Sequence, residues 1–162
     1  ETFPCFAVHP ANLIASCDRC NKLKGRHAPS TPMDSYFHPY FDNVNGEIWL
    51  QAEVIETRPA ALVFKVGNPP GLSEMLHARI SFQFNSLQLS KLYSEIASEE
   101  IADIESVLEE IHLSGGAQGV ADHLLAQSRS RRRANSNSWR AAAYQAMSDS
   151  NWFCDGGFRT KE

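Results

Sequence analysis

Cysteine is scarce in this chain, long apolar runs are missing, and so is any excess of positive charge. Four cysteines in 162 residues (Cys5, Cys17, Cys20, Cys154) are too sparse for the disulfide framework of a small secreted scaffold, so reduced thiols are expected. No apolar stretch reaches the length of a bilayer-spanning helix, which excludes a membrane partner of that kind. Residues 1–16 lack a basic start and a long apolar segment, so no secretory leader is read there and a cytoplasmic protein is expected. The first residue is Glu rather than Met, and a trimmed or cleaved product is the expectation. No internal repeat is visible.

The formal charge is −4, which alone argues weakly against a nucleic-acid partner. Its distribution says more. Between Tyr93 and Ile111 there is no Lys or Arg; Glu95, Glu99, Glu100, Asp103, Glu105, Glu109 and Glu110 predict a solvated acidic helix face. Basic side chains gather elsewhere: Arg19, Lys22, Lys24 and Arg26 in one place, Arg129, Arg131, Arg132 and Arg133 in another. The second group suits either a nucleic-acid backbone or a plain solvated helix end. A local basic surface can bind phosphate while an acidic helix faces elsewhere.

Hydrophobic residues make up 43% of the chain, enough for a packed core, so global disorder is excluded. A short helix is predicted over Asp18 to Lys24, opened by an acid and ended by Gly25. Alternation at Ile48, Leu50, Ala52 and Val54 predicts a half-buried strand. Pro59 breaks it, and Ala61 to Val66 returns as the second strand of a hairpin. From Leu72 onward the pattern is helical. Helices are predicted over Leu72 to about Asn85, along the stripe from Leu89 to Ile111, over Ala117 to Arg131 after Gly115-Gly116, and from Trp139 to Ser148. Cys154 and Gly156-Gly157 read as a non-helical tail. Trp139, Tyr144 and Trp152 read as core, and Cys154 as a buried thiol.

The chemistry concentrates in Cys17-Asp18-Arg19-Cys20-Asn21-Lys22-Leu23-Lys24, preceded by Asn12-Leu13. Two thiols two residues apart can reach one tetrahedral zinc from a tight turn. A lone C-x2-C also suits a redox pair or two buried thiols, and there is no second C-x2-C to complete a zinc site. On a helix, Cys17, Cys20, Asn21 and Lys24 share a face. That brings a neutral amide oxygen and an ammonium group beside the thiols, a combination suited to holding a phosphodiester next to a metal.

The arrangement N-L-x3-C-x2-C-N-x2-K, Asn12 to Lys24, resembles the second half of an HNH endonuclease motif in its H-N-N form. Phe3-Pro4, Phe6-Ala7-Val8, Pro10, Leu23-Lys24-Gly25, His38-Pro39-Tyr40-Phe41-Asp42 and Trp152 to Phe158 resemble segments of a bacterial branch of that family. The resemblance implies an α+β fold with a partial ββα-metal element and a β-hairpin over 1–71, followed by a helical extension over 72–162. It implies DNA as partner and metal-dependent phosphodiester hydrolysis as activity, with structural zinc on Cys17 and Cys20 and a divalent catalytic metal, magnesium being the first choice. Asn12 would be the central Asn that aims the base. Asn21 would hold the catalytic metal, and Lys24 with Arg19 or Lys22 would steady phosphate charge. Arg19, Lys22, Lys24 and Arg26 would touch the nucleic-acid backbone. His38 either approaches the metal or phosphate, or packs in an aromatic corner bonded to backbone.

The family's Asp-His pair, which supplies the general base, belongs some fifteen residues ahead of Asn12, and its partner C-x2-C also belongs upstream. Neither precedes Asn12 here, and His9 is too near and has no Asp before it. The chain therefore reads as the carboxyl-terminal part of such an enzyme, inactive alone. The alternative is a non-catalytic zinc-knuckle module that binds nucleic acid or protein. A thiol-redox protein is a third reading, without the usual strand-helix context.

Overall fold

The computed structural model describes Ile14 and residues 16–160. Asn12, His9 and Cys5 lie outside the described residues. The protein mixes helix and strand: one antiparallel hairpin and a long helical carboxyl-terminal region. No described helix is long and apolar enough to cross a membrane. The chain divides into two compact units, the first from residues up to 44 together with 73–87, the second from 45–72 together with 88 onward.

The first unit contains α1 (Asp18–Lys24), a 3-10 turn (Pro32–Asp34) and α2 (Glu74–Ser86). α1 begins where Cys17, in extended geometry, accepts the Cys20 N–H on its Sγ at 3.4 Å. Asp18 sits in its first turn and Lys22 and Lys24 in its last, each at the end of the helix dipole that favours its charge. Gly25 closes it at φ +51°, a backbone region that favours glycine. The 3-10 turn is held by a reciprocal cap. Asp34 accepts the Thr31 N–H at 2.7 Å and the Ser30 N–H at 3.0 Å, and its own N–H donates to Thr31 Oγ1. The Ser30 and then the Thr31 amide hold the Asp34 carboxyl below its usual range. α2, capped by Ser73, buries Ile80 and Phe84 and packs on the 3-10 turn. His27 sits between Tyr36 and Phe82, with ring centroids 5.7 and 4.9 Å away.

The second unit pairs β1 (Leu50–Ile55) with β2 (Ala61–Val66), in register from Leu50↔Val66 to Ile55↔Ala61. It then runs through α3 (Leu89–Ala134), α4 (Trp139–Asp149) and a π-type turn (Phe153–Gly157). β2 packs on α3 and β1 on α4. Leu50, Leu62, Phe64, Leu108, Leu124, Met147, Phe153 and Phe158 form the buried centre. The hairpin, grouped with 1–71 by the sequence, thus packs against the helices that follow it. Its alternating buried face needs an apolar partner, and α3 and α4 supply one.

Gly115-Gly116 separates two helical segments, as the sequence suggests: the span Leu89–Ala134 is two helices joined across a kink at Gly116, which leaves helical geometry (φ 61°, ψ −163°). Two sequence expectations shift here. The tail at Cys154, expected to be non-helical, starts with a helical turn in which the Cys154 N–H returns to Ser150 O, and leaves helical angles at Asp155 and at Gly156 (φ +105°). The acidic stretch is not simply a solvated face. Glu100 accepts from Tyr144 OH at 2.9 Å and Arg140 Nε at 3.0 Å, and Glu105 accepts the Thr160 N–H and hydroxyl. These acids tie the carboxyl-terminal elements to α3 by charge-assisted bonds.

Candidate metal and nucleic-acid site

α1 is an exposed helix with no buried residue. The two thiols meet at its start. The Cys20 N–H, and after it the Cys20 side chain, hold the Cys17 thiol below its ordinary value, while burial and then the Cys17 thiol push Cys20 up. An N–H aimed at sulfur favours the thiolate, the form in which a cysteine binds metal. Two thiolates fit two corners of a tetrahedral zinc site. Among the described residues no group of three or more His, Cys, Asp or Glu gathers to hold a metal, so the described part offers half of such a site.

Asn21 follows one residue later on the solvent side of α1. Its backbone is spent inside the helix: its N–H goes to Cys17 O and its carbonyl accepts from Gly25. Its side-chain amide makes no hydrogen bond with the described residues and stays open to a ligand. Lys24, also exposed, lies 5.6 Å over the Tyr36 ring. Lys22 pairs with Asp18 at 2.7 Å, but both side chains are at least three-quarters exposed, so water screens the pair and the ammonium stays open to competition by phosphate. Arg26 is exposed in the turn after α1, and Arg19 is half-buried on it. Of the sequence-chosen residues, Cys17, Cys20, Asn21 and Lys24 are gathered on one short helix; Asn12 lies outside the described residues.

His38 belongs to a separate piece of the same unit, and here the sequence missed two residues. Asp42 accepts the His38 N–H on Oδ2 at 2.6 Å and Arg79 Nη1 on Oδ1 at 2.8 Å; Arg79 Nη2 donates to Tyr36 O at 2.7 Å. With side chains only 19% and 20% exposed, Arg79 and Asp42 clamp the His-Pro-Tyr-Phe-Asp loop between α2 and Tyr36. The Tyr40 N–H points at His38 Nδ1 (3.3 Å), which leaves the proton on Nε2, a buried atom without a partner. The His38 ring lies against Phe41 (4.5 Å) and Tyr40 (5.5 Å). The expectation of an aromatic corner describes this packing well, yet it does not use Nε2. The signal for Arg79 was weak: a lone cation inside an amphipathic helix carries no motif.

The second basic group turns inward. Arg131 lies over the Tyr144 ring at 4.2 Å and bonds Gln127, and Arg132 donates to Ser136 O at 3.1 Å. Burial lowers the Arg132 pKa from its ordinary value. Arg129 and Arg133 remain exposed. The only Asp-His dipeptide in the sequence, Asp122-His123, lies within α3, with Asp122 accepting from Gln118. Cys154 is a buried thiol donating to Met147 O, pushed up to about 11 by burial and then by Asp149.

The described residues therefore define a mixed helix-and-strand protein with an exposed dithiol helix. No family model matches the chain, and no solved structure does. Among curated proteins it is similar to protein ea31 of Escherichia phage lambda, 28% identical over 105 residues. That similarity covers 63% of this chain and 36% of the relative, so the chain spans about a third of the relative it matches.

Proposed function

We propose that this chain is the carboxyl-terminal part of an HNH-type, metal-dependent DNA endonuclease. Cys17 and Cys20 give two of four zinc ligands, Asn21 gives an oxygen to the catalytic metal, and Lys24 neutralises phosphate. The observation that carries it is the state of α1: two free thiols at its start, with the Cys20 N–H on Cys17 Sγ, an uncommitted Asn21 amide, and an exposed Lys24 one turn on. A structural helix of ordinary kind buries one face; this one buries none. The metal, when bound, polarises the scissile phosphate and steadies the leaving oxygen. The chain's own residues orient the strand and offset its charge. The general base is assigned to no residue of this chain.

The test is metal-dependent cleavage of DNA by the protein encoded with whatever lies ahead of Glu1. Cleavage that needs a divalent cation, with Asn21→Ala abolishing it while zinc stays bound, is the expected result. No cleavage with any divalent cation, or cleavage indifferent to Asn21→Ala, removes the proposal. In the first of those cases, zinc bound through Cys17 and Cys20 would leave the non-catalytic zinc-knuckle module standing.

A further inference from the structure

The loop held by Arg79 and Asp42 displays something its packing does not use. Tyr40 is 65% exposed and Phe41 73% exposed, next to each other in sequence and both against the His38 ring. One exposed aromatic is ordinary; two adjacent rings on a clamped loop form a rigid apolar platform. The loop is not slack. The Phe41 and Asp42 N–H groups return to His38 O at 3.1 and 2.9 Å, and Asp42 spends both carboxylate oxygens on holding it. The loop backbone that carries the rings is thus pre-set, which leaves less ordering to do on binding.

The surroundings say what chemistry suits it. Tyr36, whose carbonyl the clamp grips, lies under the Lys24 ammonium. One connected network therefore runs from the basic end of α1 through Tyr36, Arg79 and Asp42 to His38 and its two rings. Cations that follow a phosphate backbone, beside exposed rings on which unpaired bases stack, are the two components of single-strand recognition. An intact duplex keeps its base faces stacked, and rings reach them only by unstacking a base step.

We infer that Tyr40 and Phe41 form a stacking platform for unpaired nucleobases, so that the substrate is single-stranded DNA, or DNA with bases extruded from the helix. This rests on the DNA reading of α1 given above, and deepens it by naming the form of the substrate.

The test uses the 162-residue chain with zinc present and fluorescein-labelled oligo-dT, against a duplex of the same length, read by fluorescence anisotropy. Expected is tighter binding of the single strand, with Phe41→Ala and Tyr40→Ala each weakening it about ten-fold while duplex binding hardly changes. Both side chains are mostly in solvent, so folding should survive, and Phe41→Trp keeps the platform and should keep the affinity. Equal or tighter duplex binding overturns the inference. So does single-strand binding that falls with Lys24→Ala but ignores both ring truncations; that result leaves the DNA reading of α1 intact. Binding of neither DNA form overturns both. A protein ligand lost on Phe41→Ala, with DNA binding unaffected, also overturns the inference.

Discussion

Arg79 holds the His38 loop, and its removal has a calculable effect. Arg79→Ala deletes the Asp42 ion pair at 2.8 Å and the bond to Tyr36 O at 2.7 Å. It leaves the Asp42 carboxylate with its one bond to the His38 amide. Breaking a fully buried pair from one side costs about 3–5 kcal/mol. These side chains keep about a fifth of their surface in water, so screening reduces the cost to about 2–3 kcal/mol. That corresponds to roughly thirty- to a hundred-and-fifty-fold in the local opening equilibrium. Native-state hydrogen exchange at the His38 and Asp42 amides reads it directly, without assuming that the two units unfold together. Both amides should exchange faster by that factor in Arg79→Ala, and less so in Arg79→Lys, which keeps the charge but loses the fork. Asp42→Ala should produce a similar effect, and the double variant little more, since both removals break one network. Exchange unchanged within about two-fold in Arg79→Ala would refute the clamp.

Two further outcomes follow from the second unit. Gly116→Ala places a side chain at φ +61°, a region nearly restricted to glycine, and should cost about 1–3 kcal/mol in chemical denaturation. Gly115→Ala, with nothing within 4 Å of its new Cβ, should be neutral or slightly stabilising. Stability of this unit should also fall at alkaline pH. Burial raises Cys154 from 9.0 to about 11, and burial with the Glu100 contact raises Tyr144 from 10.0 to about 12. Both groups hold their proton more tightly when folded, so their contribution is complete below the unfolded values. It is lost as pH rises through 9 to 11 and then 10 to 12. Denaturation midpoints should decline across that window, and more gently in Cys154→Ala.

Where local chemistry decides, the sequence was legible. Acid at the start, basic residues at the end and glycine after them located α1 to the residue. Alternation around Pro59 located both strands of the hairpin, with β1 entering at Leu50, where Asn137 Oδ1 accepts the Trp49 and Leu50 N–H groups. What sequence could not show depends on distant partners. Asn137 reaches β1 across nearly ninety positions. Glu100 meets Tyr144 and Arg140 because α4 returns along α3. Arg79 meets Asp42 only through packing of α2 on the 3-10 turn. The glycine pair, by contrast, was legible as the break between two helices, and Gly116 leaves helical angles there.

The site itself divides in the same way. The grouping of Cys17, Cys20, Asn21 and Lys24 follows from helical spacing and was readable in advance. The role of Asp42 as a loop brace, and the exposure of Tyr40 and Phe41, needed three dimensions.

The proposed assignment of α1 to a catalytic metal can be tested without relying on turnover. Fe2+ bound where that proposal puts the metal would, with ascorbate and peroxide, cut the polypeptide next to the ion. Cleavage within α1 around Asn21, suppressed by excess Mg2+ and lost in Asn21→Ala, is the expected pattern. Cleavage confined to other segments, or unaffected by Asn21→Ala, would contradict the assignment of α1 to the catalytic metal.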